Sequence, residues 1–597
     1  MDFMKTQLKD LKKAKLYNLV FLAGSFLLFG LFKEYGACLY TGIWGIFLIL
    51  RLKNGFVTQN EKGKREKIKG ENCFNPGIIL AVGTIVLFYL LTCFYGIDRG
   101  MSFIGFLKYL GVVFFLAYIS LLEEEERKAL RLLIPLLGCI MTIIGIVAKF
   151  VPKLNQFFYV ARRLGGFFQY PNVFALFCLV GILLLIGEEK ENMIEILLLL
   201  AGILLSGSRT VFFLTVFSAI AIFIYFRRYR KLIVILTVIL GCVILVWVGI
   251  TGSFQTAGRF LTTSVNSSTL IGRIIYWKDG LSELLKHPFG LGYLGYYYRE
   301  PVIQKAFYSV RFIHNDFLQI ALDTGILSGI IFVIAFIGTI IRKELSFTKK
   351  LTLTVMLLHF FMDFDLEFTA MWYLLLLVAA VPQKKTNMEK LKQKTDNGVK
   401  RKAGKIIKVP VLENTVKGLI VICSLVSLYI GISMIPRYTG NVAFSAKLLP
   451  FYTEANVEVL SAETDPDAAK KMADKILEQN QYVPEAYDIQ AVLALGNGEY
   501  SQMIAEKKKS LQLRKYHMEA YDRYLALLAQ GINIIAQEND AENAELLLEA
   551  AGKVPDLLKE VEEQTNPLAY KTKDIPDFTL STWSQEFLQQ VNEIIEE

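Results

Sequence analysis

The sequence predicts an all-α fold: a polytopic membrane protein of about thirteen transmembrane helices with a long extracytoplasmic loop, followed by an α-helical extracytoplasmic domain. Three observations predict it. The 597 residues are 54% hydrophobic, with a mean hydropathy of +0.42. Apolar stretches near bilayer length recur along the first 435 residues, whereas residues 451–597 lack one and carry 28 acidic against 13 basic side chains. This pattern excludes an ordinary soluble enzyme and a disordered chain.

The predicted spans are apolar stretches long enough, or nearly long enough, to cross the hydrocarbon core of a bilayer. They lie near residues 16–32, 37–50, 76–95, 103–122, 132–147, 172–186, 194–205, 211–226, 232–250, 317–341, 351–361, 370–381 and 419–435. The first follows a Lys-rich start and lacks a small-residue cleavage site, so we interpret it as an anchor.

Clusters of Lys and Arg orient these spans, because basic residues favour cytoplasmic loops. With a cytoplasmic N-terminus, all four clusters fall on the inner side; they lie at residues 51–69, 227–231, 342–350 and 384–408. The sequence therefore predicts a membrane domain over residues 1–435, with an extracytoplasmic loop at 251–315 and a basic cytoplasmic loop at 383–410. Residues 436–597 are predicted to form the extracytoplasmic helical domain.

The predicted outer loop goes against this charge trend. Residues 251–315 hold seven basic and three acidic side chains, although basic residues are disfavoured in outer loops. One explanation is that loops of roughly 60 residues partly escape the charge rule. The other is a binding site for an anionic group at the outer membrane–water boundary.

The C-terminal domain contains a short internal repeat. The tetrad Glu-Ala-Tyr-Asp occurs at Glu485–Asp488 and again at Glu519–Asp522, a separation of 34 residues. That is the period of tetratricopeptide helix pairs, and arrays of such pairs usually bind a partner on their concave face. The pattern predicts a tetratricopeptide-like domain that docks a protein partner. A helical bundle without repeats is the alternative.

His314 is the strongest candidate for a catalytic residue. It lies beside Asn315, where the outer loop returns to the membrane. Histidine can act as a general base near neutral pH because its ordinary pKa lies close to that range. A lone histidine with a structural hydrogen bond is the alternative.

Several arginines occur on the same predicted side of the membrane: Arg163, Arg209, Arg259 and Arg273. Ionisable groups at membrane depth are costly and usually functional. The planar guanidinium donates paired hydrogen bonds to phosphate oxygens and stays charged. Together with His314, these arginines indicate a site for a lipid-linked pyrophosphate. Arginines that merely anchor the helix ends are the alternative.

The order of these residues resembles the O-antigen ligase and polymerase superfamily. The similar elements are Arg273 and Trp277, His287–Gly292, His314–Asn315, Asp323, Gly325 and Gly329, preceded by Arg163, Gly166, Pro171, Asn172 and Arg209. The resemblance covers roughly residues 150–380. Asp323 stands where the family usually has Glu.

This resemblance implies a glycosyltransferase of the bacterial cytoplasmic membrane. The donor would be a glycan on undecaprenyl pyrophosphate, and the acceptor a hydroxyl of another glycan or glycolipid. His314 would be the general base, and Arg163, Arg209 and Arg273 would bind the pyrophosphate. The resemblance implies inversion at the anomeric carbon without a metal or other cofactor. The loop agrees in having no acidic pair resembling a metal site.

Supporting roles are expected for Arg259, Asn315, Asp323 and Trp277. A ligase and a polymerase of this superfamily would use the same kind of site, so the sequence does not distinguish between these two activities. From other classes, a transporter or flippase of a lipid-linked or anionic solute, and a scaffold that recruits partners through its helical domain, also remain open. A transporter predicts internal repeats and polar groups near mid-membrane, neither of which is evident in the sequence. The sequence predicts no nucleic-acid partner.

Overall fold

The computed structural model of the protein describes residues 10–53, 57–59, 65–67, 73–238, 268–381, 410–538 and 540–596. Nearly all regular structure in these residues is helical, which confirms the predicted all-α class. The described residues form two compact units. The first unit comprises residues 1–86, 107–263 and 330–432, and the second comprises 87–106, 264–329 and 433–597. The predicted Arg259 and the predicted loop residues 383–409 lie outside the described residues.

The α-helices are numbered in chain order. Those up to residue 303 are α1 (Leu16–Leu27), α2 (Glu34–Lys53), α3 (Pro76–Tyr95), α4 (Arg99–Ser120), α5 (Glu124–Ala148), α6 (Pro152–Phe158), α7 (Pro171–Gly187), α8 (Met193–Ser206), α9 (Arg209–Tyr225), α10 (Ser268–Lys286) and α11 (Gly295–Ile303). The next are α12 (Asp316–Thr324), α13 (Ile326–Ile340), α14 (Phe347–Phe360), α15 (Thr369–Ala379), α16 (Pro410–Tyr438), α17 (Val442–Leu448) and α18 (Thr453–Leu460). The last are α19 (Pro466–Gln479), α20 (Pro484–Gly496), α21 (Tyr500–Gln512), α22 (Met518–Glu538), α23 (Ala541–Gly552), α24 (Val554–Gln564) and α25 (Thr582–Glu596).

Short antiparallel hairpins make up the sheet structure of the described residues. β1 (Val57–Gln59) pairs with β2 (Arg65–Lys67), and β3 (Tyr159–Val160) pairs with β4 (Arg163–Leu164). A short 3-10 turn lies at Pro567–Lys571, between α24 and α25.

Five of the described helices are long and apolar enough to cross a membrane. They are the helices α3, α4 and α5, the segment Glu34–Leu52 of α2, and the segment Asn414–Tyr438 of α16. The shorter apolar helices are α1, α7, α8, α9, α13 and α15. The chain is therefore a multi-pass membrane protein, while the count of thirteen spans and their orientation stay predictions.

Two of the shorter apolar helices form the core of the first unit. Every residue of α7 from Val173 to Ile186 is buried, and so is every residue of α15. A helix that is apolar all round has no polar face for water, so it is covered on all sides by protein or lipid. Here protein covers both helices, and Gly181 lets the backbone of α7 approach Pro135 of α5.

In the second unit, the repeated tetrads occupy equivalent places. Each begins in the first turn of a helix, α20 or α22, with its alanine buried. The aspartate of the first tetrad, Asp488, accepts a hydrogen bond from Ser510 in the next helix at 2.7 Å. The aspartate of the second, Asp522, accepts one from Ser584 at 2.5 Å. Both carboxylates thus join helices, and the tetratricopeptide assignment stays a prediction.

A buried carboxylate joins the segment before α4 to the C-terminal helices of the same unit. Asp98 accepts hydrogen bonds from the side chains of Thr453 (2.5 Å), Gln479 (3.0 Å) and Asn480 (3.0 Å). The backbone N–H of Met101 donates a further one at 2.8 Å. A buried charge is tolerated when hydrogen bonds replace its hydration. Three of the four donors to Asp98 come from residues beyond 450.

The described part of the predicted outer loop packs against the C-terminal helices within the second unit. Arg311 pairs with Glu454 at 2.6 Å, and the backbone N–H of Asn566 donates to the carbonyl of Lys305 at 2.8 Å. Ala569, in the 3-10 turn, lies in one apolar cluster with Ile271 of α10. The C-terminal helices therefore support the loop that carries His314.

Candidate functional site

His314 lies in a strained backbone position immediately before a helix. Its φ is +50°, the left-handed region that costs an L-residue other than glycine about 1 kcal/mol. The next residue, Asn315, caps α12 by accepting a hydrogen bond from Leu318 N–H at 3.0 Å. The half-buried His314 ring lies 5.9 Å from the ring of Tyr276, centroid to centroid. Such strain persists only where the surroundings fix the backbone.

The peptide groups before His314 are held from two sides. The indole N–H of Trp277 donates to the carbonyl of Ile313 at 2.9 Å. The backbone N–H of Ile313 donates to the side-chain oxygen of Gln319, also at 2.9 Å. With donor and acceptor of Ile313 both occupied, rotation of the backbone leading into His314 is opposed.

Asp323 acts on this arrangement through Gln319. Its buried carboxylate accepts a hydrogen bond from the Gln319 amide at 2.9 Å and one from the Tyr89 hydroxyl at 2.8 Å. The first bond orients the amide so that its oxygen faces Ile313 N–H. The predicted Asp323 thus supports the His314 segment, and sequence reasoning missed both Tyr89 and Gln319.

One face of α10 is turned toward the His314 segment. Arg273, Tyr276, Trp277 and Gly280 share this face because residues three and four apart are neighbours on a helix. A Cβ on Gly280 would lie 2.2 Å from the terminal Cδ1 of Ile313, so a larger residue here would require the Ile313 side chain to move. Arg273, half-buried, lies one helical turn before the residues that contact the His314 segment.

The glycines after His287 let two backbone segments approach each other. A Cβ on Gly290 would lie 2.5 Å from the carbonyl oxygen of Asp323. Nearby, the N–H groups of Leu291 and Gly292 donate to the carbonyls of Leu322 and Asp323 at 2.7 and 3.0 Å. These glycines therefore hold the end of α12 and help to fix the site.

Arg163 and Asn172 form part of a polar network in the first unit. Arg163 follows the hairpin turn Ala161–Arg162, in which both residues have positive φ. The Arg163 guanidinium donates to the carbonyl of Ser206 at 2.8 Å and to the side-chain oxygen of Asn172 at 2.6 Å. Arg209 begins α9 three residues after Ser206. The structure thus brings two predicted arginines to the α8–α9 junction.

A buried aspartate that sequence reasoning missed anchors this network. Asp363 accepts hydrogen bonds from the Asn172 amide at 2.6 Å and from the Tyr170 hydroxyl at 2.8 Å. It thereby fixes the amide whose oxygen accepts from Arg163. An acidic residue beside apolar spans is a functional signal by itself, and that signal was present in the sequence at Asp363.

The other three histidines have different surroundings. The ring of His287 lies 3.2 Å from the carboxylate of Glu283. His359 is buried, with its ring 2.6 Å from Asp365, and the exposed His517 has its ring 5.4 Å from that of Phe307. Among the described residues, no group of three His, Cys, Asp or Glu side chains is placed to hold a metal ion; metal independence stays a prediction.

Glu300 supports the chain segment that leads to His314. Its carboxylate is buried in α11 and accepts a hydrogen bond from Val310 N–H at 2.9 Å. Burial raises the pKa of this carboxyl from 4.5 to about 8, because a charge in an apolar surrounding loses its hydration. The folded protein therefore keeps Glu300 protonated at pH values where the unfolded chain ionises it.

The raised pKa of Glu300 predicts a pH-dependent stability. The contribution of the protonated carboxyl is complete below the unfolded pKa of 4.5 and is lost as the pH rises to about 8. We expect Glu300→Gln to remove this loss, which is on the order of a few kcal/mol, because the neutral amide still accepts from Val310. Thermal unfolding at about pH 5.5 and about pH 8.5 measures it, since most of the interval between the unfolded pKa of 4.5 and the folded pKa of about 8 lies between these two values. Glu519→Gln, at an exposed side chain, is the control. An unchanged pH dependence in Glu300→Gln would contradict the assignment.

The predicted site residues are distributed over both units. Arg163 and Arg209 belong to the first, and Arg273, Trp277, His314, Asn315 and Asp323 to the second. Within the second unit, the structure brings Trp277, Asn315 and Asp323 into the support of the His314 segment. Within the first, it brings Arg163 to the junction where Arg209 begins α9.

Comparison with known proteins identifies one family. Residues 195–333 match the family described as O-antigen ligase. The match includes Arg209, Arg273 and His314, whereas Arg163 precedes it. No curated protein and no solved structure matches the chain. The family match confirms the resemblance to the O-antigen ligase and polymerase superfamily.

Proposed function

Since residues 195–333 match the family described as O-antigen ligase, we propose that this protein transfers a glycan from undecaprenyl pyrophosphate to a hydroxyl acceptor. The observation that carries the proposal is the placement of His314, a strained left-handed residue beside a backbone clamped by Trp277 and Gln319. The reaction belongs to cell-surface polysaccharide synthesis at the outer face of the inner membrane.

In the proposed reaction, His314 takes the proton of the acceptor hydroxyl. The acceptor oxygen then forms a bond to the anomeric carbon as the bond from that carbon to the pyrophosphate oxygen breaks. The pyrophosphate departs on its lipid, and the anomeric centre is inverted. A positioned general base contributes roughly 10²–10⁴-fold to such a rate, and its effect depends on geometry, which the clamp at Ile313 supplies.

Arginine side chains have the proposed role of stabilising the departing pyrophosphate. Arg273 supplies a permanently charged fork from the α10 face that packs against the His314 segment. Arg163 and Arg209 are proposed to bind donor phosphate at the α8–α9 junction, and Arg259 to assist. Because these cations neutralise the leaving group, the proposed reaction needs no divalent metal.

Replacing Arg273 by Lys tests donor binding. Lysine keeps the charge but loses the planar fork, so we expect KM for the carrier-linked donor to rise about tenfold, as for the loss of one charge-assisted hydrogen bond. The measurement is transfer of labelled glycan by protein in nanodiscs at varied donor concentration. Lys278→Arg, at an exposed position of the same helix, is the matched control. An unchanged KM in Arg273→Lys would assign Arg273 to anchoring alone.

The same assay distinguishes the proposed enzyme from a transporter. Purified protein is incubated with carrier-linked glycan and acceptor; transfer of label supports the enzyme, and movement across the bilayer without transfer supports a transporter. Product length distinguishes ligase from polymerase, since a polymerase extends a carrier-linked glycan. A protein partner on the C-terminal helices is a further proposal, which affinity capture with the intact chain tests.

A further inference from the structure

An exposed apolar stripe runs along α10 on the side away from His314. Its members are Ile274, Leu281 and Leu285, with Phe289 just beyond the helix end; they are 42%, 51%, 68% and 68% exposed. Spacings of seven and four residues keep the three helical members on one face. Ile275, Tyr276 and Leu284 cover the protein-facing side and are buried. Helix α10 is therefore apolar on two faces: a buried face that packs against the rest of the protein, and an exposed face formed by the stripe.

Hydrogen bonds join this stripe to the end of a membrane-spanning helix. The hydroxyl of Tyr95, the last residue of α3, donates to the carbonyl of Phe289 at 2.7 Å. The neighbouring Phe94 is 73% exposed, as expected for a side chain that faces lipid. Phe289 is therefore held at the level where α3 ends.

A second apolar helix fixes the same point. The N–H of Ile326, the first residue of α13, donates to the carbonyl of Pro288 at 3.0 Å. The next residue, Leu327, is 56% exposed. The apolar stripe of α10 is thus continuous with side chains at the ends of two apolar helices, α3 and α13.

Two exposed lysines accompany the stripe. Lys278 lies on the face of the stripe between Ile274 and Leu281, and Lys286 lies about 100° around the helix from Leu285. Long lysine side chains can place their ammonium groups among lipid headgroups while their stems stay in apolar surroundings. A helix with an exposed apolar stripe and such lysines resembles helices that lie in the membrane interface.

We propose that α10 lies along the bilayer surface, with Ile274, Leu281, Leu285 and Phe289 among the acyl chains of one leaflet. Arg273 is adjacent to Ile274 and so points about 100° around the helix from the stripe. This places its guanidinium at the depth of the lipid phosphates. The bilayer is preferred to a second copy of the chain as the occupant, because the stripe continues onto the end of the candidate span α3 and the start of the apolar helix α13.

This inference goes beyond the proposed function and is tested without enzymatic activity. In a variant lacking the native cysteines, Leu285→Cys carries an environment-sensitive fluorophore and the protein is reconstituted in nanodiscs. We expect strong quenching by lipids with a nitroxide on the acyl chain and weak quenching by iodide in water. Val492→Cys, an exposed apolar position of the C-terminal helix α20, is the matched control and should show the opposite pattern.

Two outcomes would overturn the proposal. Equal quenching at positions 285 and 492 would mean that the stripe faces water. Protection of position 285 from both quenchers, with disulfide cross-linking to the same position of another molecule, would assign the stripe to a second copy. A functional measurement extends the test: Leu281→Asn combined with Leu285→Asn should raise KM for the long-chain donor several-fold. Retained lipid quenching together with an inactive enzyme would contradict the proposed function alone.

Discussion

Replacing His314 by Asn is expected to lower the rate of glycan transfer by about 10²–10⁴-fold, the usual contribution of a positioned general base. Asparagine is chosen because it tolerates the left-handed backbone, so the φ of +50° at this position is kept. The substitution removes the imidazole ring and with it the nitrogen that would accept the proton. The measurement is the initial rate of label transfer from carrier-linked glycan to acceptor, with protein in nanodiscs.

Two further variants show whether the effect is chemical. His314→Ala adds backbone strain, so we expect a lower thermal unfolding temperature as well as lost activity, whereas His314→Asn should unfold close to the parent protein. His287→Asn changes a histidine that contacts Glu283 in the same loop, and most activity should remain. A well-folded His314→Asn protein with full activity would remove His314 from the chemistry.

Replacing Asp363 by Asn is expected to raise KM for the carrier-linked donor about tenfold to a hundredfold. Oδ2 of Asp363 accepts from the Asn172 amide, and Oδ1 accepts from the Tyr170 hydroxyl and the Phe364 N–H. The amide of asparagine has one oxygen, so the N–H of either Asn172 or Phe364 loses its acceptor at about 1–3 kcal/mol. Asn172 would then no longer hold the guanidinium of Arg163 in its present direction. Donor saturation curves measure the effect, which should fall on KM more than on kcat.

Tyr170→Phe is the matched variant for this second experiment. It removes one of the two side-chain donors to Asp363 and leaves the bond from Asn172. We expect a smaller rise in KM than in Asp363→Asn. If Asp363→Asn binds donor as tightly as the parent protein, the network serves folding and Arg163 loses its proposed role.

The order of the family elements predicted the site residues, and local geometry explains where three of them lie. Asn315 has the residue type and position of a helix cap, and the spacing of Arg273 and Trp277 places both on one helical face. Each of these features depends on residues within one or two helical turns. The match of residues 195–333 to the family described as O-antigen ligase agrees with the resemblance that the order of the elements had indicated.

The missed residues act over long distances in the chain. Tyr89 and Asp323 are separated by 234 positions, and Asp363 lies 191 positions from Asn172. No local pattern in the sequence indicates that two residues so far apart in the chain form a hydrogen bond. The sequence also could not distinguish a helix covered by protein from one covered by lipid, because both are apolar all round; α7 and α15 are of the first kind.

The hydrogen bonds to Asp98 determine how the C-terminal helices can be studied. A shortened chain that ends before Thr453 keeps one of the four donors to this carboxylate, the N–H of Met101. Such a deletion leaves a charge without its partners and also removes Glu454 from Arg311. Loss of the proposed activity after truncation would therefore report damage to the loop that carries His314. Substitutions on the outer surfaces of the C-terminal helices are the better test of the proposed protein partner.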